Sequence, residues 1–92
     1  MKYATIALIL DALLRFEQAG RDNVTAAQLA RVLEMGYGIP PMHLVLLGAT
    51  LETQGILTKD ADGIVALTDT GREHAKACAR LLDEQEREQA DN

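Results

Sequence analysis

Only one cysteine, Cys78, occurs in the 92 residues, so no internal disulfide can form, and a reducing, cytoplasmic setting is the expectation. Tryptophan is absent, and Tyr3, Phe16 and Tyr37 are the only aromatic residues. The apolar share of 48% therefore comes mostly from Ala, Leu, Ile and Val, which favours a helical domain over a sandwich or a barrel. Positive charge is scarce too: nine Lys and Arg stand against fourteen Asp and Glu, a formal charge of −5. The mean field of such a chain repels phosphate at neutral pH, although an uneven surface can still carry a basic face. No membrane-length apolar run is present. The uncharged stretch from Met35 to Leu51 is broken by Gly36, Gly38, Pro40 and Pro41, and it reads as a loop entering a helix. Lys2 followed by Tyr3 to Leu10 has the outline of an export signal, but Asp11 and Arg15 interrupt it and no small-residue cleavage site follows.

What remains is enough for one compact domain with one core. Tyr3, Ile6, Leu10, Leu13 and Phe16 fall at helical spacing and predict a first helix to about Gln18, with Gly20 as its stop. Leu8, Ile9 and Leu14 widen its apolar stripe beyond what one core-facing side needs. This helix is either the central one of the domain or buried on a second side by another chain. Thr25-Ala26-Ala27-Gln28 is a capping box that predicts the start of a second helix, with Leu29, Val32 and Leu33 inward and Gly36 as its end. Pro41 suits the first position of a third helix, which runs to about Thr53 with Leu44, Leu47 and Leu51 inward and Gly55 as its stop. The period then becomes that of strands, with Ile56 to Lys59 and Ile64 to Leu67 flanking a turn at Asp62-Gly63, which predicts a β-hairpin. Thr68 can cap a last helix whose Gly71, Ala75, Cys78 and Leu82 share a face of mostly small side chains. Beyond Asp83 the chain loses its apolar face, so residues 1–83 form the expected domain and 84–92 an acidic tail that frays.

The expected fold is thus mainly α with a small hairpin, in the order helix, helix, turn, helix, hairpin, helix. That order is the order of winged helix-turn-helix domains. Two stretches also resemble the MarR and PadR families of bacterial transcriptional regulators. Leu47-Gly48-Ala49-Thr50-Leu51-Glu52-Thr53-Gln54-Gly55-Ile56-Leu57 is similar to the end of their recognition helix entering the wing. Leu67-Thr68-Asp69-Thr70-Gly71-Arg72 is similar to the segment that closes the wing and opens the following helix. With the capped second helix, the likeness spans roughly Thr25 to Leu82. It implies a recognition helix for the major groove, a wing along the backbone, and affinity dominated by basic contacts to phosphate.

The residues at those positions depart from that pattern. The outward positions of the third helix are His43, Val45, Leu46, Ala49, Thr50 and Thr53, with no Arg or Lys among them. Base-edge readout calls for bidentate donors, and this helix offers only Gln54 at its far end. The hairpin tip reads Lys59-Asp60-Ala61-Asp62-Gly63, where carboxylates would oppose a phosphate chain. Two functional readings therefore stand side by side. In the first, a non-enzymatic regulatory module holds another protein through Tyr37, Met42, His43, Val45, Leu46 and Thr50, although Tyr37, Met42, Val45 and Leu46 can equally fill the core or a homodimer seam. In the second, a DNA-binding regulator contacts duplex DNA through His43, Thr50, Thr53, Lys59 and Arg72. The resembling regulators dimerise through their first and last helices, and the broad stripe here points to a homodimer through Ile6, Leu8, Ile9, Leu13, Cys78 and Leu82.

Catalytic and metal chemistry find little material. His74 and Cys78 share a helix face, but two ligands are not a site. The Asp60-Ala61-Asp62-Gly63 turn lacks the third acid and the closing Glu of a calcium loop. No phosphate-cradling glycine loop and no nucleophile with an oriented base can be assembled, so neither an enzyme nor a cofactor is expected.

Overall fold

A computed structural model describes residues 2–90, with side chains over residues 5–84. The element order is α1 (Lys2–Gln18), α2 (Ala26–Tyr37), α3 (Pro41–Thr53), β1 (Leu57–Lys59), β2 (Val65–Leu67) and α4 (Asp69–Ala90). The two strands pair antiparallel, with Leu57 opposite Leu67 and Lys59 opposite Val65. The architecture is therefore mainly helical with a two-stranded sheet. The sequence ends the ordered domain at Asp83, whereas the helical backbone of α4 runs on to Ala90. Side chains of the tail beyond Glu84, like that of Tyr3, lie outside the described residues.

The core explains the breadth of the α1 stripe. Ile9, Leu10, Leu13 and Leu14 are all buried, because α1 packs against α4 on one side and against α2 and β2 on others. Burial on several sides requires apolar residues around more than one face of the helix. This corrects the expected dimer surface: Ile9 and Leu13 are 2% and 4% exposed in the single chain and cannot reach a partner. Ile6, Leu8 and Cys78 are partly buried and pack on that same core, and Leu82 is half-buried. Ile9 and Leu13 are thus taken up by the core of the single chain. Asp11 is buried on α1 as well, and Nε of Arg15 one turn on donates to its carboxylate at 2.9 Å.

The α2 boundaries follow local chemistry. Gln28 N–H donates to Thr25 Oγ1 at 3.1 Å, and Thr25 N–H donates to Gln28 Oε1 at 3.0 Å, which completes the capping box. The helix does not stop at Gly36. It continues to Tyr37 and ends on Gly38, whose φ of 68° is left-handed and whose N–H donates to Glu34 O at 2.9 Å. Ile39, the next residue, is buried in the core and fixes the direction of exit. With the helix running past Gly36, Leu29 and Leu33 face inward while Val32 is 43% exposed, a second departure from the expected buried face.

Main-chain bonds tie the hairpin to the helices. Ala26 N–H donates to Gly63 O at 3.0 Å and Val65 N–H to Val24 O at 2.9 Å, so the segment entering α2 lies along the hairpin. At the other end the Thr68 hydroxyl lies 2.6 Å from Gly55 O and accepts from Gly71 N–H at 3.0 Å, capping α4. Here Gly71 is required by space: a Cβ at this position would stand 1.8 Å from Ile56 O.

Candidate functional site

Helix α3 leaves the Gly38 turn through Pro40 and Pro41 and has its apolar residues on both sides. Leu47 and Leu51 are buried and Leu44 is half-buried, which anchors one side to the core. On the other side Met42 and Val45 are each 70% exposed and Leu46 is 64% exposed. His43, Ala49, Thr50 and Thr53 are exposed around them. The only charged residue of the helix is Glu52. The outward positions of α3 read from the sequence thus do face solvent, and they form one surface with Met42. Tyr37 is exposed at the end of α2 and lies near Arg15 of α1.

Two grooves flank the α3 ridge. One, of about 390 Å³, lies between α2, α3 and the hairpin, with small residues Ala27, Ala30 and Gly48 along its walls and Lys59 and Glu52 at its edge. The other, of about 520 Å³, runs beside the Gly38–Pro40 turn, with His43, Leu46 and Thr50 on its α3 side. Both are largely apolar channels that open along an apolar ridge.

The alternative DNA-contacting residues are not gathered into one cationic surface. Thr50 Oγ1 donates to Leu46 O at 3.2 Å and Thr53 Oγ1 donates to Ala49 O at 2.9 Å, so both hydroxyl protons are spent on the helix's own carbonyls. Arg72 is held by acids instead: Nη2 lies 2.6 Å from Glu17 Oε1, Nε 2.8 Å from Glu17 Oε2, and Nη1 2.9 Å from Asp69 Oδ1. The bidentate contact with Glu17, then Asp69, raises the Arg72 pKa above its ordinary value, and the Arg72 hydrogen bond holds the Glu17 carboxyl below the usual range. Lys59 is exposed on β1, beside a tip where Asp60 Oδ1 accepts from Asp62 N–H at 2.9 Å and Ile64 N–H at 3.0 Å. That carboxylate shapes the turn.

Cys78 is half-buried, and burial, then Asp11, pushes its thiol up from the ordinary value, which disfavours the reactive thiolate. His74 is exposed, and among the described residues no group of three His, Cys, Asp or Glu side chains could hold a metal ion. No helix among the described residues is long and apolar enough to cross a membrane. Met35, 77% exposed on α2, is an apolar surface residue that the sequence pattern does not single out. Its signal is hidden by placing the helix end at Gly36, one residue away.

No match was found among known proteins: no family model fits the chain, and neither a curated protein nor a solved structure is similar to it. The likeness to MarR and PadR regulators stands on the quoted residues alone.

Proposed function

We propose that the chain is a winged helix-turn-helix regulatory module of the cytoplasm that catalyses nothing and holds a protein on the outer face of α3. The element order, the capped α2, the short turn into α3 and the hairpin bonded to the start of α2 support the winged-helix reading. One observation carries the functional reading. The face that such domains turn toward a polyanion here exposes Met42, Val45 and Leu46 and offers neither Lys nor Arg. Three large apolar side chains on one solvent-facing ridge, beside two apolar grooves, match the anchor-and-pocket make-up of protein interfaces. Phosphate binding would instead need cations along the ridge, and Arg72 is engaged by Glu17 and Asp69.

A photoreactive residue in place of Leu46, introduced into the full chain in cells, tests this reading. The expected product is an adduct with a polypeptide, and a control at Glu73 on α4 should give none. An adduct with nucleic acid at position 46, or no adduct there, would overturn the proposal.

A further inference from the structure

Resting on the reading of the α3 outer face as a protein-docking surface, we infer that the protein seated there is a second copy of this chain, with the two α3 helices antiparallel across a twofold axis.

The argument begins with helical geometry. At about 100° per residue, Leu44, Leu47, Gly48 and Leu51 cluster on one side of α3, and that side is the one the core covers. Met42, Leu46, Ala49 and Thr53 fall directly opposite, at steps of four, three and four residues. This is the spacing of a coiled-coil seam. Bulk is distributed unevenly along it, with Met42 and Leu46 in the first half of the helix and Ala49 and Thr53 in the second. A parallel pair would set leucine against leucine and leave the small residues facing a gap. An antiparallel pair sets each Met42 against Thr53 and each Leu46 against Ala49, so large meets small in every layer, as close packing requires. The surface is self-complementary, which a twofold interface demands.

Charge points the same way. Each copy carries a formal −5, so two copies repel except where a face is free of acids. Residues Met35 to Leu51 contain no Asp, Glu, Lys or Arg. The start of α3 has no side-chain cap and no acid in its first turn, whereas Glu52 sits in the last turn, where the helix dipole disfavours it. Antiparallel pairing carries each Glu52 to the uncapped, positive end of the copy's α3. The α1 and α4 surfaces offer no equivalent: Ile6, Leu8 and Cys78 pack on the core, and Leu81 alone among the described large apolar residues of these two helices is exposed.

The test uses the full chain with Cys78→Ser as background. Sedimentation across a concentration series should show a monomer–dimer equilibrium. Leu46→Asp, at a position 64% exposed in the single chain, should leave the circular dichroism unchanged and raise the dissociation constant at least about a hundredfold by burying two unpaired carboxylates. Chains carrying either Met42→Cys or Thr53→Cys are then oxidised, each alone and as a mixture. The expected result is a predominant disulfide in the mixture, joining position 42 of one chain to position 53 of the other, and little crosslink in either chain alone. A chain that stays monomeric throughout overturns the inference, as does crosslinking that is strongest between two copies of Met42→Cys. Should that happen while a photoreactive residue at position 46 still captures a different polypeptide, the docking face stands and only the second copy is lost.

Discussion

Helices α1 and α3 are both rich in apolar residues around their circumference, yet the protein treats them differently. On α1 the second apolar side is covered by α4, and Ile9, Leu10, Leu13 and Leu14 are all buried. On α3 the second side is left in water, with Met42, Val45 and Leu46 about two-thirds exposed. A wide apolar stripe therefore does not by itself say whether its second side is buried within the chain. Ile9 and Leu13 of the dimer surface expected on α1 are used inside the single chain, and three of the exposed large apolar side chains, Met42, Val45 and Leu46, lie on α3.

Substitutions can break or sharpen this contrast. The largest effect is expected at the joint that brings α4 onto α1: Gly71→Ala sets a Cβ 1.8 Å from Ile56 O, and backbone must move. It should cost about 4 kcal/mol in urea unfolding, much of the stability of a small domain. Next, Leu33→Ala, at a position with no exposure, should cost about 3 kcal/mol through lost burial and a cavity. Thr25→Ala removes the acceptor for Gln28 N–H and should cost about 1 kcal/mol, with thermal unfolding as the readout. Leu46→Ala, measured at a concentration that keeps the chain monomeric, should change stability by less than about 0.5 kcal/mol. Equal losses at Leu33 and Leu46 would erase the distinction between the core and the exposed face of α3.

The smallest effect concerns the Glu17–Arg72 pair that ties α1 to the start of α4. Glu17 has its folded-state pKa lowered below the ordinary 4.5, chiefly by the Arg72 hydrogen bond. Its stabilisation is therefore present above that ordinary value and is lost as pH falls through the lowered one. Melting temperatures of the native chain and of Glu17→Gln should differ near neutrality and converge in acid. A gap that widens as pH falls would show that this pair is not the link.

Much of the fold was legible because the signals are local. The Thr25 capping box, Pro41 at a helix start, the Asp62-Gly63 turn and the Thr68 cap each act through bonds within a few residues, and each appears where the sequence places it. Gly36 misled because glycine is tolerated inside a helix and two glycines lay within reach of the end. Only the exit of Ile39 into the core selects Gly38. The outward positions of α3 could be read by counting from Leu51 and Glu52. The fate of the α1 stripe could not, since it depends on where α4 lands, far along the chain. The Arg72 partner on α1 was illegible for the same reason.

The most direct test of the central claim, that α3 presents a protein-binding face and not a polyanion-binding one, is a titration of the full chain against mixed-sequence duplex DNA across a salt series. The expected result is weak binding with little salt dependence even at low salt. Tight binding that falls steeply as salt rises, and that Lys59→Ala or Arg72→Ala reduces, would contradict it.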